Sequence, residues 1–353
     1  MAGNTFGRLL RLTTFGESHG AGIGGVLDGC PAGLPLSEAL IQAELDRRKP
    51  GSGPAGTTRR ESDTVHLLSG VFEGVTTGTS IGFFIANENQ RSRDYGPIAR
   101  AFRPGHADFG YQCKFGIRDY RGGGRSSGRE TAARVAGGAI ARALLARHGI
   151  GIHAATVELG GIPAPDIQME GARSRAFFAA CDSVIPAWEE RVRAVRGAGD
   201  TLGGIVRIEA HGLPAGLGEP VFDKLDAALA GALMSVGAVK GVEIGEGFAA
   251  ARLTGSQNND PMTPGGMASN HAGGIVGGIS NGQPIVARCA VKPIPSIALE
   301  QHTVDVDNQP VTIRIGGRHD ICAIPRIVPV LEAMTALVLA DALLLQRRME
   351  ARP

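Results

Sequence analysis

The sequence predicts an α+β protein, with a mixed α/β arrangement as the alternative. Two short runs, residues 204–210 and residues 310–315, alternate apolar and polar residues as half-buried strands do. Helical patterns occupy other parts of the chain, and several begin after a capping residue or stop at glycine or proline. Strands and helices are both present without a strict βαβα order, which favours α+β.

Two helices are predicted from their boundary residues. Ser37 is a good N-cap for a helix over residues 38–48, which must end before Pro50. An alanine-rich helix is expected over residues 129–148, with Gly149 as its stop.

Two further helices are predicted from apolar content. The first covers residues 220–233. The second lies in the longest apolar tract, residues 327–345, which is interrupted by Pro329, Glu332 and Asp341. Because a membrane span tolerates few such residues, this tract predicts an amphipathic buried helix.

Composition indicates a soluble globular protein able to bury a sizeable core. The chain has 353 residues, of which 43% are hydrophobic and 20% charged. A net charge of +2 does not favour a dedicated binder of polyanions. Only five of the 36 basic residues are lysines, and arginine binds phosphate and carboxylate groups through a two-pronged fork. No low-complexity linker divides the sequence, so one domain over residues 1–353 is expected.

Cysteine usage and the N-terminus point to a reducing compartment. The five cysteines are scattered and form no CxxC pair, which supports neither a disulfide scaffold nor a zinc ribbon, and no metal site is predicted. The first residues lack the apolar core of a signal peptide. We therefore expect a cytoplasmic protein that binds neither nucleic acid nor membranes.

The first segment with chemical content is Thr13-Thr-Phe-Gly-Glu-Ser-His-Gly-Ala-Gly22. It presents Ser18 and His19 between glycines, which allow a ligand to approach the backbone closely. A histidine there can donate to phosphate or move a proton near neutral pH. A histidine that is satisfied within a turn explains this segment equally well.

The second segment, residues 100–134, holds seven arginines against three acidic residues. It contains Arg103-Pro-Gly-His-Ala-Asp108 and then Asp119-Tyr-Arg-Gly-Gly-Gly-Arg-Ser-Ser-Gly-Arg-Glu-Thr131, directly before a predicted helix. A glycine-rich loop with hydroxyls and arginines at a helix N-terminus is typical of an anion site. Three consecutive glycines and two serines argue against the alternative, a solvated basic turn.

Two later segments are ambiguous by themselves. Glycine pairs in residues 269–282, followed by Lys292-Pro-Ile-Pro-Ser296, suit either a flat or phosphorylated ligand or closely packed strands. In Gly316-Gly-Arg-His-Asp-Ile-Cys322, Asp320 is either a base or a cap for the apolar helix that follows.

Five runs together resemble the chorismate synthase family in residue type and order: GESHG, RPGHAD, DYRGGGRSSGRET, SNHAGGI and GRHD. The resemblance extends from residue 3 to about residue 348. It implies a β-α-β sandwich, with antiparallel sheets around a helical layer, and a homotetramer. It also implies anti-1,4-elimination of phosphate and a ring proton from 5-enolpyruvylshikimate 3-phosphate. This step gives chorismate, requires reduced FMN, and belongs to the shikimate pathway of aromatic amino-acid biosynthesis.

The resemblance implies a role for each of five candidate catalytic residues. His19, with Ser18 beside it, matches a histidine near the departing phosphate, where an imidazolium stabilises developing charge. His106 matches a histidine that protonates reduced flavin at its N1 side. Asp320 matches an aspartate that takes a proton from flavin N5, and Ser127 matches a serine supporting that relay.

Binding roles follow from the same resemblance. The expected substrate-binding residues are Arg48, Arg103 and Arg129. The expected flavin-binding residues share small size, a hydroxyl or a positive charge, and are Arg125, Ser126, Ser127, Gly237, Ala238, Gly277, Lys292, Pro293, Ile294, Pro295, Ser296 and Arg318.

Two positions depart from the family pattern. Pro54 stands where the family usually has an arginine, and losing one charged hydrogen bond costs about 1.5–3 kcal/mol. Arg59 or Arg60 is the candidate replacement. Gly237 stands where a larger residue is common, which matters less if the contact is through backbone.

Three other functions compete with this interpretation. A nucleotide-dependent phosphotransferase should show a P-loop lysine and a magnesium carboxylate, and neither is suitably placed. A nucleic-acid-binding module should show strong positive charge and stacking aromatics, whereas this chain has a net charge of +2 and 16 aromatics, mostly phenylalanine. A flavin reductase without elimination activity is the nearest alternative, and NADPH is the candidate reductant if the enzyme reduces its own flavin.

Overall fold

The first five-stranded sheet is built from the N-terminal part of the chain. The computed structural model describes residues 3–49, 55–56, 62–88, 99–315 and 320–349. The strands before residue 90 are β1 (Thr5–Phe6), β2 (Arg11–Gly16), β3 (Gly22–Asp28), β4 (Val65–Leu67), β5 (Val71–Phe72), β6 (Val75–Thr76) and β7 (Ile81–Ala86). Five of them form an antiparallel sheet in the order β1-β2-β3-β7-β4, and β5 pairs with β6.

The second five-stranded sheet comes from the C-terminal part. The strands after residue 150 are β8 (Gly151–Leu159), β9 (Ile162–Pro163), β10 (Gly204–His211), β11 (Val239–Ile244), β12 (Met262–Thr263), β13 (Gly266–Met267), β14 (Ile275–Val276), β15 (Ile279–Ser280), β16 (Ile285–Val291), β17 (Glu300–Val304) and β18 (Pro310–Arg314). The sheet has the antiparallel order β11-β16-β10-β8-β9, and the others pair as hairpins. The strands predicted at 204–210 and 310–315 are confirmed as β10 and β18.

Seven α-helices occupy the described residues. They are α1 (Glu38–Arg48), α2 (Asp108–Phe115), α3 (Thr131–Ala146), α4 (Ile185–Gly197), α5 (Leu225–Met234), α6 (Gly255–Asn258) and α7 (Ile324–Met349). The prediction of α1 is confirmed, and Ser37 caps it by accepting a hydrogen bond from the N–H of Leu40. Helix α3 starts two residues later than predicted, because a 3₁₀ turn occupies residues 128–130. Helix α5 starts at Leu225, so the prediction was wrong for residues 220–224.

Helices α1, α3, α5 and α7 form a layer between the two sheets. Helix α3 packs against β2 and β3 of the first sheet, α5 packs against β11 of the second, and α7 contacts β8 and β10 there. The two central helices, α3 and α7, pack against each other along their lengths. The predicted β-α-β sandwich with antiparallel sheets is therefore confirmed.

Small residues let the two central helices approach closely. A methyl group in place of the Gly138 hydrogen would lie 2.3 Å from the Cβ of Ala333, far inside van der Waals contact. Helix α7 is long and apolar enough to cross a membrane by length and composition, yet 89% of its apolar window is buried inside the protein. The predicted buried helix is confirmed and begins at Ile324, three residues earlier than expected.

The acidic interruptions of α7 are buried, and both have polar partners. Glu332 is fully buried, contacts Arg47 and Arg142, and accepts the N–H of Ala154. Asp341 accepts three successive backbone N–H groups, those of residues 8–10, from the connection between β1 and β2. Because a buried charge is costly unless it is paired, these residues specify which elements the apolar helix packs against.

Candidate functional site

His106 lies where two distant segments of the chain meet. Its Nδ1 is 3.0 Å from the carbonyl oxygen of Pro104, and its Nε2 is 3.0 Å from the hydroxyl of Ser296. Lys292 donates a 2.9 Å hydrogen bond to the carbonyl of Gly105. The predicted catalytic histidine and the predicted flavin-binding segment 292–296 are therefore in direct contact.

The surroundings of His106 favour its neutral form. Burial lowers the pKa of His106 to about 4, and the positive charges of Arg103 and Lys292 act in the same direction. The Pro104 carbonyl and Asp108 oppose this shift but do not outweigh it. At neutral pH the imidazole is uncharged in the protein alone, and proton uptake requires a negative charge nearby.

Arg103 is held by a two-pronged ion pair at the start of α2. Its Nε and Nη2 donate to the two carboxylate oxygens of Asp108, at 2.7 and 2.8 Å. Arg118 approaches the same carboxylate at 3.3 Å. Burial by itself raises the pKa of Asp108, but both arginines together hold it below its usual value. The guanidinium of Arg103 also lies beside the glycine-rich loop, 3.8 Å from where a methyl group on Gly123 would be.

Ser18 and His19 contact the same glycine-rich loop. The Ser18 hydroxyl lies 3.2 Å from His19 Nδ1. Gly122 has φ +65°, and a methyl group there would lie 2.5 Å from His19 Cε1 and 2.8 Å from the Ser18 hydroxyl. The loop therefore connects the His19 and Arg103 neighbourhoods that the sequence predicts to share one site.

The loop is anchored by its own hydroxyls and by one arginine. Ser126 donates to the carbonyl of Gly123 at 2.7 Å, and Ser127 accepts the N–H of Arg129 at 3.3 Å. Arg125 donates to the Thr14 hydroxyl at 2.7 Å and so reaches across to β2. In this structure Arg125 fixes the loop to the first sheet, and its predicted contact with flavin stays a prediction.

The predicted substrate-binding residues Arg48 and Arg129 are buried at the base of the loop. Arg48 is 1% exposed, and Arg129 is 7% exposed. Both contact the carboxylate of Asp63, which is also buried. The structure brings these arginines together, and their contact with substrate stays a prediction.

Asp320 is buried just before α7 and is paired with a residue of that helix. Arg326 Nη1 donates to Asp320 Oδ2 at 3.0 Å. The neighbouring Ile321 bonds through its backbone to Ala55 and to Leu202, which places this segment between the two halves of the chain. The sequence analysis did not identify Arg326, although an arginine in the first turn of a helix and six residues after an aspartate is a readable signal.

The remaining predicted flavin contacts are partly organised. Ala238 adopts φ +75°, and its carbonyl accepts the N–H of Lys292 at 2.9 Å. The hydroxyl of Thr201 donates to the carbonyl of Ile294 at 2.6 Å and so anchors the 292–296 segment. A methyl group on Gly237 or Gly277 would meet no atom within 4 Å, so both glycines border open space.

Several sequence predictions lie outside the described residues. These are the predicted flavin contact Arg318 and the positions that bear on the family departure, Pro54, Arg59 and Arg60. Within the described ranges, no group of three or more His, Cys, Asp or Glu residues is arranged to hold a metal ion. A separate cavity of about 430 Å³ lies between β1 and α7, lined by residues such as Phe6, Phe222 and Leu345, and none of its lining residues belongs to the predicted site.

Three known proteins to which this chain is similar are chorismate synthases. The family model of chorismate synthase matches residues 10–344. A chorismate synthase of Nitratidesulfovibrio vulgaris (strain Miyazaki F) is 69% identical over 352 residues, which cover 99% of this chain and 100% of the relative. One of Desulfovibrio desulfuricans is 71% identical over 360 residues and covers 99% of each chain. A crystal structure of chorismate synthase superimposes with a TM-score of 0.78 at 35% identity, covering 97% of this chain and 93% of the other. The chain therefore belongs to the chorismate synthase family of lyases.

Proposed function

We propose that this enzyme forms chorismate from 5-enolpyruvylshikimate 3-phosphate by anti-1,4-elimination, and that it requires reduced FMN. The observation that carries the proposal is one glycine-rich loop that touches both Ser18–His19 and Arg103, while His106 follows Arg103 in the same turn. A substrate with one phosphate and two carboxylates needs cationic and hydroxyl donors on several sides, and these segments supply them.

The residues around His106 fit a phosphorylated flavin. Lys292 and Ser296 provide a cation and a hydroxyl, and Gly237 borders open space where a ring could lie without a side-chain clash. Reduced FMN, when bound, supplies an electron-rich ring nitrogen able to accept the substrate's ring proton.

At the phosphate end, His19 and Arg103 have the main roles. His19 in its protonated form donates to the departing phosphate, and Ser18 orients the imidazole through the 3.2 Å contact with Nδ1. Arg103 keeps its geometry through the Asp108 fork and adds positive charge beside the loop. These groups stabilise negative charge that grows on the leaving oxygen as the bond breaks.

At the end of the site where the ring proton is removed, we assign to Asp320 the role of accepting a proton from flavin N5. Its carboxylate is buried beside Arg326, which holds it in one orientation. Ser127 lies in the loop that follows the glycines and supports the relay through its hydroxyl. His106 donates a proton toward the ring system once a negative charge nearby has raised its proton affinity.

The assembly and setting of the enzyme belong to the same proposal. We propose a cytoplasmic homotetramer, with NADPH as the reductant if the enzyme regenerates its own reduced flavin. Neither nucleic acid nor a membrane is proposed as a partner, since the net charge is only +2 and the long apolar helix is buried in the core. Light scattering after size-exclusion chromatography tests the tetramer.

An anaerobic assay of phosphate and chorismate release tests the function. One arm uses chemically reduced FMN, and the other uses oxidised FMN with NADPH. Product with reduced FMN alone supports a synthase that depends on an outside reductant, and product in both arms adds a built-in reductase. NADPH oxidation without chorismate would instead support the flavin reductase alternative. No product in either arm, from folded protein that binds flavin, would reject the proposed reaction.

A further inference from the structure

The carboxylate of Asp63 is fully enclosed and is shared by two arginines. Its Oδ2 accepts a 2.8 Å hydrogen bond from Arg48 Nη1, and its Oδ1 accepts one from Arg129 Nη1. The side chain is 0% exposed. Its backbone has φ +45°, a conformation that aspartate and asparagine adopt more readily than most residues. This residue lies outside every predicted substrate, flavin or proton-transfer role.

Arg48, which is paired with Asp63, also forms hydrogen bonds with the glycine-rich loop and the start of α3. Its Nε donates to the Thr131 hydroxyl and its Nη2 to the carbonyl of Gly128, both at 3.0 Å. Thr131 is the first residue of α3, and Gly128 follows Ser127 directly. The end of α1 is therefore tied to the loop that carries the predicted relay serine.

Arg129, which is also paired with Asp63, forms hydrogen bonds with the end of β7 in the first sheet. Its Nε donates to the side-chain oxygen of Asn87 at 3.0 Å, and its Nη2 donates to the carbonyl of Ala86 at 3.2 Å. Ala86 ends β7. Asp63 thus lies where α1, β7 and the loop before α3 meet. It pairs with Arg48 from α1 and with Arg129 from the loop.

Attraction of the anionic substrate gives no reason to keep a carboxylate here. The substrate is anionic, so a buried negative charge beside its binding arginines lowers the local positive potential and weakens attraction. Burial raises the pKa of Asp63, yet Arg48 and Arg129, with help from Arg326, hold it below its usual value, so the group stays ionised. The carboxylate offsets the cost of burying the guanidinium groups of Arg48 and Arg129, and its two contacts fix where those groups lie.

We propose that Asp63 is a positioning residue for the elimination reaction, which holds Arg48, Arg129 and the Ser127 loop in the arrangement that binds the anionic substrate. The inference rests on the proposed function, because the substrate is the one named there. Asp63 itself touches neither substrate nor cofactor in this assignment.

The substitution Asp63→Asn separates geometry from charge. Asparagine keeps the size and the tolerance of positive φ, but it removes the charge and turns one acceptor into a donor that faces an arginine. Coulomb attraction alone predicts tighter substrate binding in this variant, whereas positioning predicts weaker binding. The measurement is the dissociation constant of 5-enolpyruvylshikimate 3-phosphate, by calorimetry, for protein saturated with oxidised FMN. We expect binding at least tenfold weaker than wild type, with KM raised more than kcat is lowered.

Glu332→Gln is the matched control. Glu332 is also 0% exposed and also pairs with two arginines, Arg47 and Arg142, but it lies in the middle of α7. It reports what the loss of a buried, doubly paired carboxylate does to binding through stability alone. We expect its substrate dissociation constant to stay within twofold of wild type. Binding by Asp63→Asn that is equally tight or tighter than wild type overturns the inference.

A second pair of variants covers the case in which Asp63→Asn does not fold. Arg48→Gln with Asp63→Asn restores the charge balance of the buried cluster, and Arg48→Gln alone is its reference. If the double variant binds substrate more weakly than Arg48→Gln alone, positioning of Arg129 by Asp63 is supported. If it binds substrate equally tightly or more tightly than Arg48→Gln alone, the inference is overturned. Wild-type protein that neither binds substrate nor forms chorismate overturns both the function and the inference. Wild-type activity with unchanged affinity in the Asp63 variants overturns the inference alone.

Discussion

His106 Nε2 lies 3.0 Å from the hydroxyl of Ser296, although 190 residues separate them in the chain. The other ring nitrogen, Nδ1, faces the carbonyl of Pro104, which can only accept a hydrogen bond. The proton of the neutral imidazole is therefore on Nδ1, and Nε2 accepts from Ser296. Nε2 is therefore the ring atom at which a second proton binds when His106 becomes charged.

The first prediction concerns the pH dependence of stability. The pKa of His106 is about 4 in the fold and near 6.5 in an unfolded chain, so the unfolded state binds more protons between these values. Stability is fully retained above the unfolded value and is lost as pH falls from 6.5 toward 4, by up to about 3 kcal/mol from this residue. Chemical denaturation of flavin-free protein at several pH values should show that the free energy of unfolding depends less steeply on pH in His106→Gln than in wild type.

The matched control for that experiment is His66→Gln on β4, where the side chain is exposed. It should keep the wild-type slope. Equal slopes for wild type and His106→Gln between pH 4 and 6.5 would contradict the buried, neutral state of His106.

The second prediction concerns the two proton-transfer residues. His106→Ala and Asp320→Ala should each lower turnover by about 100-fold or more, the usual contribution of a positioned acid or base. Flavin affinity, measured by fluorescence quenching, should change by less than about threefold, because neither side chain supplies most of the flavin contacts. The exposed His302→Ala serves as control, and wild-type turnover in both variants would remove these residues from the relay.

The third prediction tests the contact between the glycine-rich loop and His19. In Gly122→Ala, the new methyl group would lie 2.5 Å from His19 Cε1, so the imidazole must move. We expect kcat/KM to fall by about tenfold or more, because a small misplacement of a catalytic group has a large effect. Gly116→Ala is the control: its φ of +72° causes similar backbone strain, but its methyl group would meet no atom within 4 Å. Equal activity losses in the two variants would show that strain, not His19, is responsible.

The fourth prediction concerns the core. Glu332→Gln leaves Arg47 and Arg142 without their shared carboxylate and should lower the free energy of unfolding by about 3 kcal/mol or more. Activity at a temperature well below the melting point should be retained, since Glu332 belongs to the helical layer. A denaturation midpoint equal to that of wild type would mean that water or rearranged side chains replace the lost contact.

The sequence predicts the site well where chemistry is local. The RPGHAD run places Arg103, His106 and Asp108 within one turn, and the fork between Arg103 and Asp108 needs no distant partner. Partners from far along the chain are harder to foresee. Asp63 meets Arg129 only because the residues before β4 lie against the 3₁₀ turn before α3, and Ser296 meets His106 only because the second half of the chain returns to the first.

The fold shows the same division. Cap and stop residues predict α1 and α3 closely, because those signals act within one turn. The prediction of where α5 begins is wrong because residues 220–224 have a composition typical of a helix, whereas tertiary contacts decide where the helix starts. Leu225 donates its N–H to the carbonyl of Gly278, a bond to a distant hairpin that no local pattern records.

The position of α7 has a consequence for how the protein is made. Every strand of both sheets precedes this helix in the chain, yet both rest on the layer that it completes. During synthesis from the N-terminus, β8 and β10 of the second sheet keep an exposed apolar face until residues 324–349 have left the ribosome, whereas the first sheet can already pack against α3. Because Asp320 and Arg326 flank the start of the same helix, a nascent chain acquires its proposed proton acceptor and its packed interior in one late event. Chains that stall before this point are expected to depend on chaperones and to have no partial activity.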